Sequence, residues 1–253
     1  MTDFHGKTVL ITGGCGTVGR ACMETFLAKG ANIALTDGVP PTSTLSLPPH
    51  VEFCLADVTD PDAVTRAYDS FINRFGHIDA AVLAAGIEGA VAPLEEISEQ
   101  DLDAVWRVNV KGCLSWMQLC LRDMKARNAG SIVALSSISG VVGTPLLGPY
   151  TISKHAVVGL VKTAALEAGP HGVRVNAVCP GPIQSPMMER LDQAFVARDP
   201  NRLLGQRDAS KSLPLQRYVS AAEVAAMVAF LCSDDAGSCH GGIYMVDGGF
   251  TAK

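Results

Sequence analysis

The 253 residues predict a single-domain α/β fold, a doubly wound parallel sheet of about seven strands with helices on both faces. Three observations carry this. Short β-rich runs alternate with helix-length segments along the whole chain, the pattern of parallel strands joined by helical crossovers. Most of those runs are continuously apolar, as strands covered on both faces must be. The composition is that of a chain with a core to bury: 48 % hydrophobic and only 18 % charged, with a net charge of −5.

The first strand is expected over 7–12, followed by a glycine-rich turn and a helix over 18–29. The second and third strands are expected over 32–36 and 51–55, with a Pro/Ser/Thr-rich loop (39–49) between them. Asp60-Pro61 opens a helix over 60–74, because a capping carboxylate precedes proline at the first helical position. A strand over 79–84 leads to Ser98-x-x-Asp101, a capping box that opens one long helix over 99–127. A strand over 131–136, a helix over 149–168 and a strand over 173–178 follow. Residues 182–214 form the longest irregular stretch, polar outside but carrying Met187, Met188, Leu191 and Phe195. Insertions of this length between strand and helix are often lids, and a lid is expected here. Ser220-x-x-Glu223 caps a helix over 220–233, and a last strand is expected over 242–246. No linker divides residues 1–253. The dinucleotide-binding half is expected over about 1–130 and the catalytic half over about 131–253.

The charge argues against a nucleic-acid partner, which needs a basic face. The one dense basic cluster, Arg122, Lys125 and Arg127, encloses Asp123. No apolar run reaches a membrane span, the most apolar helix candidate being 224–232, and residues 1–7 contain no signal-peptide core. A cytoplasmic protein without a membrane partner is expected. The eight cysteines include no Cys-x-x-Cys pair and read as small buried thiols, and the six histidines lack zinc-ligand spacing, so no metal is expected.

After the first strand comes Gly13-Gly14-Cys15-Gly16-Thr17-Val18-Gly19. Glycines in such a turn let the backbone approach a pyrophosphate, and the following helix presents free N–H groups to it. A glycine-rich turn alone is weak support, but this one follows an apolar strand and opens a helix. Asp37 ends the second strand, 18 residues beyond Gly19, where a carboxylate can accept hydrogen bonds from an adenosine ribose. It would repel a 2′-phosphate, and no Lys or Arg stands at Gly16 or Gly38 to attract one, which favours NAD over NADP. Asp57-Val58 after the third strand offers a carboxylate either to an adenine amino group or to a helix cap.

Tyr150 and Lys154 stand four apart, on one helix face. A phenol is a poor base at neutral pH, and a neighbouring ammonium favours the phenolate, so the pair can serve as a general acid/base. Ser137 ends a strand thirteen residues before Tyr150, and Asn109 sits mid-helix, where asparagine is a poor helix former.

With these residues the sequence resembles the classical short-chain dehydrogenases/reductases. The resemblance runs in order through the glycine turn, Asp57-Val58, Ala84-Ala85-Gly86, Asn109, Ser137, Tyr150, Lys154, Asn176, Pro180-Gly181 and Val246-Asp247-Gly248-Gly249. It implies a Rossmann-type fold. It also implies Tyr150 as acid/base, Lys154 as ribose ligand and modulator of Tyr150, Ser137 as donor to the substrate oxygen, and Asn109 as holder of a water in a proton relay. Gly13, Gly16, Thr17, Val18, Gly19, Asp37, Asp57, Val58, Ala85 and Gly86 are expected to contact the cofactor, with Tyr150, Lys154, Pro180, Gly181, Ile183 and Ser185 at its nicotinamide end. The sequence departs from the family pattern at Thr17, where a glycine is usual, and at Leu83-Ala84-Ala85-Gly86. There two sheet-bracing asparagines are absent and apolar packing is expected to replace them. Ser185 replaces the usual threonine.

The expected substrate pocket is mostly apolar: Ile138, Ser139, Leu147, Pro182, Met187, Met188 and Leu191 around Ser137 and Tyr150. Glu88 is its polar member, reading a substrate hydroxyl or pointing to water. This suits a small-molecule substrate, a hydrophobic secondary alcohol or ketone of cyclic, aryl or steroid-like shape, handled by hydride transfer. The alternatives are a 3-oxoacyl-carrier-protein reductase, with the basic cluster docking an acidic carrier, and a catalytically inactive NAD sensor on the same fold. The resemblance further implies a homotetramer paired through the two long helices and the C-terminal strand region. Ala156, Gly159, Ala164 and Ala165 offer small residues for close packing.

Overall fold

The computed structural model describes residues 3–41, 47–198 and 209–252. Its sheet has seven parallel strands in the order β3-β2-β1-β4-β5-β6-β7. They are β1 (Thr8–Thr12), β2 (Asn32–Asp37), β3 (Val51–Leu55), β4 (Ala80–Leu83), β5 (Gly130–Leu135), β6 (Val173–Pro180) and β7 (Ile243–Val246). The order reverses between β1 and β4. Their crossovers leave on opposite faces there, so a crevice opens at the carboxyl ends of the strands.

The helices are α1 (Thr17–Leu27), α2 (Pro61–Phe75), α3 (Glu99–Trp106), α4 (Cys113–Arg127), α5 (Gly148–Ala168), α6 (Pro186–Arg198) and α7 (Ala221–Cys232). The expected caps form. Asp60 accepts from the Asp62 and Ala63 N–H groups, and Ser98/Asp101 and Ser220/Glu223 close reciprocal boxes. One face of the sheet packs on α2, α4 and α5 through residues such as Phe71, Trp116, Met117 and Val161. The other packs on α1 and α7 through Phe26, Ile33, Val224 and Val228. Each fully buried large side chain of this kind contributes about 2–3 kcal/mol from its apolar surface.

Two segments differ from expectation. The helix expected over 99–127 is not one α-helix, since Arg107–Gly112 forms a wide π turn between α3 and α4. Asn109 lies in that turn, and its side chain bonds outside the helix. The stretch 182–214 is not irregular throughout either, because it contains α6. Met187, Leu191 and Phe195 recur every four residues, which is helical spacing. Residues 199–208 of the expected lid lie outside the described residues.

All eight cysteines are free thiols, four of them fully buried. Among the described residues no helix is long and apolar enough to cross a membrane. The basic cluster at the end of α4 is partly consumed within the fold. Arg127 donates to Asp123 at 3.0 Å and to the Ile78 carbonyl.

Candidate active site

At the carboxyl edge of the sheet lies a cleft of about 1950 Å³. It runs from the turn after β1, past the ends of β4 and β5, to α6. Its first end is built by glycines. Gly13 has a φ of +66°, and a Cβ there would stand 2.8 Å from the Ala85 backbone. Gly19 presses so closely on the turn that a Cβ would lie 2.1 Å from the Gly13 carbonyl oxygen. Gly16 caps α1 without any side-chain acceptor, and the first turn of α1 carries no acidic residue. The N–H groups of that turn therefore present partial positive charge to the cleft. Thr17 is the first residue of α1, in ordinary helical backbone, so its β-branch creates no strain there.

The Asp37 carboxylate stands beside this turn. It accepts from the Cys15 N–H at 2.9 Å and from the Val39 N–H at 3.1 Å, so both oxygens are held at the cleft wall. Arg20 of α1 lines the same wall. Asp57 and Val58 lie farther along it. One Asp57 oxygen accepts from both the N–H and the hydroxyl of Thr59, so this residue caps locally and faces the cleft as well.

The bracing expected from apolar packing near Ala84-Ala85 is instead polar. The Thr12 hydroxyl accepts from the Ala84 N–H at 3.0 Å and the Ala85 N–H at 3.2 Å, tying β1 to the end of β4. Sequence reasoning missed Thr12, whose position as the last residue of an apolar strand was the only signal.

The cleft floor is assembled from β5, α5 and the π turn. Ser137 follows β5. Its Oγ accepts from the Ser139 N–H at 3.1 Å, and Ser137 stands near enough to the Tyr150 phenol to favour its ionised form. Lys154, only 5 % exposed, donates from Nζ to the Leu135 carbonyl at 2.8 Å. That Nζ lies 5.5 Å from the Tyr150 ring centroid. Burial lowers the Lys154 ammonium to about 8. Burial pushes the Tyr150 phenol up to about 12, against a downward pull from Ser137. The pair as it stands is thus not a phenolate held by an ammonium. The Glu88 charge adds to the upward shift of Tyr150.

Asn109, 1 % exposed, acts as a clamp. Its Oδ1 accepts from the Ile87 N–H at 2.8 Å, and its Nδ2 donates to the Ile87 carbonyl at 3.0 Å. The same Nδ2 donates to the Ser153 hydroxyl at 2.9 Å, which in turn donates to the Tyr150 carbonyl at 2.7 Å. A Cβ at Gly86 would meet Asn109 Oδ1 at 3.2 Å and Lys154 Nζ at 3.4 Å, so these two groups crowd one glycine.

At the other end the cleft is lined by Ile138, Ser139, Leu147, Pro182, Met187, Met188 and Leu191. The Ser139 hydroxyl is shared with Thr144 at 2.7 Å. Pro180, Gly181, Ile183 and Ser185 also border the cleft, and Ser185 caps α6 by accepting from the Met188 N–H at 3.2 Å. Glu88 departs from both expectations, since it neither lines the cleft nor points to water. It pairs with Arg190 of α6, which does line the cleft. Arg190 and Phe250 were missed at the sequence level. Arg190 could have been found by reading α6 as a helix, whereas Phe250 arrives only through the fold of the C-terminal turn. Asp247 holds that turn by accepting from Gly249 and Thr251. Among the described residues no group of three or more His, Cys, Asp or Glu is arranged to hold a metal.

The family model described as Enoyl-(Acyl carrier protein) reductase matches residues 15–251. Levodione reductase of Leifsonia aquatica is 34 % identical over 259 residues, covering 99 % of this chain and 96 % of that protein. A 2,5-dichloro-2,5-cyclohexadiene-1,4-diol dehydrogenase of Sphingobium indicum is 34 % identical and matches over 100 % of both chains. The crystal structure of levodione reductase superposes with a TM-score of 0.91 at 33 % identity, covering 98 % of this chain and 99 % of that one. An NAD+-bound xylitol dehydrogenase superposes at 0.88 with 31 % identity, covering 97 % and 99 %. ElxO with NADP bound superposes at 0.86 with 29 % identity, covering 100 % of both. With the glycine turn, Asn109, Ser137, Tyr150 and Lys154 gathered around one cleft, the chain belongs to the classical short-chain dehydrogenase/reductase family.

Proposed function

We propose that this oxidoreductase uses NAD to interconvert a hydrophobic cyclic secondary alcohol and its ketone. The observation that carries the reading is the joining of two ends in one cleft. Ser137, Tyr150 and Lys154 meet at the floor, and the uncapped first turn of α1 stands at the far end. The cleft has room for a dinucleotide, and the glycines at 13, 16 and 19 leave open the space that Cβ atoms would fill. The residues present fit the cofactor.

Gly13, Gly16, Thr17, Val18 and Gly19 would hold its pyrophosphate, and Asp37 its adenosine ribose. Asp57 and Val58 would lie at its adenine. Ala85, Gly86, Tyr150 and Lys154 would hold the nicotinamide ribose, with Pro180, Gly181, Ile183 and Ser185 beside the nicotinamide. A bound nicotinamide dinucleotide supplies the hydride chemistry. Tyr150 gives its proton to the substrate oxygen on reduction and takes it on oxidation. The raised phenol suits the donor role, because Tyr150 stays protonated through neutral pH. Ser137 donates to the same oxygen as charge builds on it. Lys154 carries a positive charge up to about pH 8, which favours the phenolate once the proton has left. Asn109 fixes the loop at Ile87 and passes order to Tyr150 through Ser153. With Lys154 across Gly86 it borders the path along which a water would return the proton.

The apolar walls and the resemblance to levodione reductase and a cyclic diol dehydrogenase support a cyclic substrate. NAD is favoured over NADP because the Asp37 carboxylate is fixed by two N–H groups where a 2′-phosphate would bring further negative charge. Asp37→Ala is expected to lower NAD kcat/KM by about 10- to 100-fold, the loss of charge-assisted hydrogen bonds. It should raise NADP turnover, since the charge that repels a 2′-phosphate is gone from a wall that Arg20 also lines. Steady-state kinetics with both cofactors check this, and an unchanged preference would place the selectivity elsewhere. Thr17→Gly is expected to change NADH affinity by less than tenfold, or about 1.4 kcal/mol, in a fluorescence titration. A larger change would make Thr17 a direct phosphate ligand.

The chain is further proposed to act as a homotetramer in the cytoplasm, with residues 182–214 serving as the substrate lid. Leu114 of α4 and Ile152 and Leu166 of α5 are exposed, Leu166 by 82 %, and Gly159 has open space around it. Ala164 and Ala165 play no part in such pairing because they pack in the subunit's own core. Sedimentation tests the assembly. The function is tested by NAD-linked turnover of a panel of cyclic, aryl and steroid secondary alcohols. Absence of turnover across the panel, with NADH still binding, would favour the sensor reading.

A further inference from the structure

The substrate end of the cleft is apolar on most sides, and among the charged residues that line it, Arg190, Asp192 and Lys211, Arg190 is held by a two-pronged ion pair. Arg190 of α6 donates from Nε to one oxygen of Glu88 and from Nη2 to the other, the second at 3.2 Å. The Glu88 side chain is 14 % exposed and that of Arg190 is 59 % exposed. Glu88 is itself well placed. It follows Ile87, whose N–H and carbonyl are both bound by Asn109. The residue that orders Tyr150 through Ser153 thus also orders the carboxylate that holds Arg190.

A guanidinium has five N–H donors in one plane. Glu88 takes two of them, and among the described residues no other acceptor engages Arg190. The Nη1 group remains, on a side chain that lines the cleft. A purely apolar substrate filling the cleft would strip water from that donor and give nothing back, which costs free energy. A substrate with an acceptor oxygen at that point would satisfy it. The Glu88–Arg190 pair has no net charge, so the matching group is a neutral acceptor and not a carboxylate.

We infer that Arg190 determines specificity, donating from Nη1 to a second oxygen of the substrate, remote from the one that Ser137 and Tyr150 handle. The preferred substrate class is then a cyclic ketone or alcohol with a further carbonyl or hydroxyl across the ring. The inference rests on the reading of the cleft as an alcohol/ketone site.

A second ion pair from α6 separates this role from simple fastening. Arg198 donates to Glu96 at 2.7 Å, and neither residue lines the cleft. If the two arginines only pin α6 down, both should behave alike. The test measures kcat/KM with NADH for cyclohexane-1,4-dione and for cyclohexanone, in the wild type, Arg190→Met and Arg198→Met. The ratio of dione to monoketone is expected to fall by about tenfold or more in Arg190→Met, the scale of one lost hydrogen bond to a charged donor. In Arg198→Met the ratio should hold. An unchanged ratio in Arg190→Met, or an equal fall in both variants, would overturn the inference and leave Arg190 as a fastener. Turnover of neither ketone by the wild type would overturn the underlying reading of the cleft, and this inference with it.

Discussion

Tyr150→Phe is expected to lower kcat by about a thousandfold, some 4 kcal/mol of transition-state stabilisation, while leaving NADH affinity nearly unchanged. The ring stays and only the proton carrier goes. The helical frame does not depend on the hydroxyl: Tyr150 is tied to Asn109 through its carbonyl and Ser153. Single-turnover kinetics together with an NADH titration separate the two effects. Retained turnover would remove Tyr150 from the acid/base role. Loss of NADH binding to the same degree would mean that the hydroxyl serves the cofactor more than the substrate.

Gly19→Ala is expected to weaken NADH binding by at least about a hundredfold, or 2.7 kcal/mol. A Cβ at position 19 would lie 2.1 Å from the Gly13 carbonyl, so α1 must move away from the turn that it caps. That displaces the N–H groups which the pyrophosphate would use. Gly16→Ala gives the contrast. Its Cβ would meet the same oxygen at 3.2 Å, and Gly16 has a φ of −74°, open to any residue. A modest loss at 16 beside a severe one at 19, read by calorimetry and thermal unfolding, would confirm that backbone approach governs the turn. Equal effects would show that the turn is softer than its contacts imply.

Periodicity and caps made most of the fold legible. The parallel strands were readable because both of their faces are covered, and Asp60, Ser98 and Ser220 mark their helices by local hydrogen bonds that need no tertiary context. The π turn was not readable. Asn109 looked like a poor residue in a continuous helix, and nothing local says that the helix widens to aim it at Ile87. α6 was partly readable: the four-residue spacing of Met187, Leu191 and Phe195 was present but lay between prolines and polar residues that read as loop. Glu88 was recognised as unusual, but its partner stands 102 residues away, and no local rule finds an ion pair at that separation. The direction of the Tyr150 shift was also hidden, because it follows from burial and not from spacing.

The wide turn at Arg107–Gly112 makes residue count a constraint of its own. An α-helix advances about 100° per residue, and a π turn is in effect one extra residue absorbed into the coil. Deleting any single residue from that turn would let the ladder close into an uninterrupted helix. Because the residue removed is the one the coil had absorbed, α4 would keep its phase. Trp116, Met117, Cys120 and Met124 would stay buried against the sheet. The shorter turn would lose the aim of Asn109, and with it the bonds to Ile87 and Ser153. Adding a residue is the opposite injury: with the slack already used, it would swing α4 by about 100° and lift those side chains from the core. The packing of α4 thus tolerates a turn one residue shorter, and the site does not.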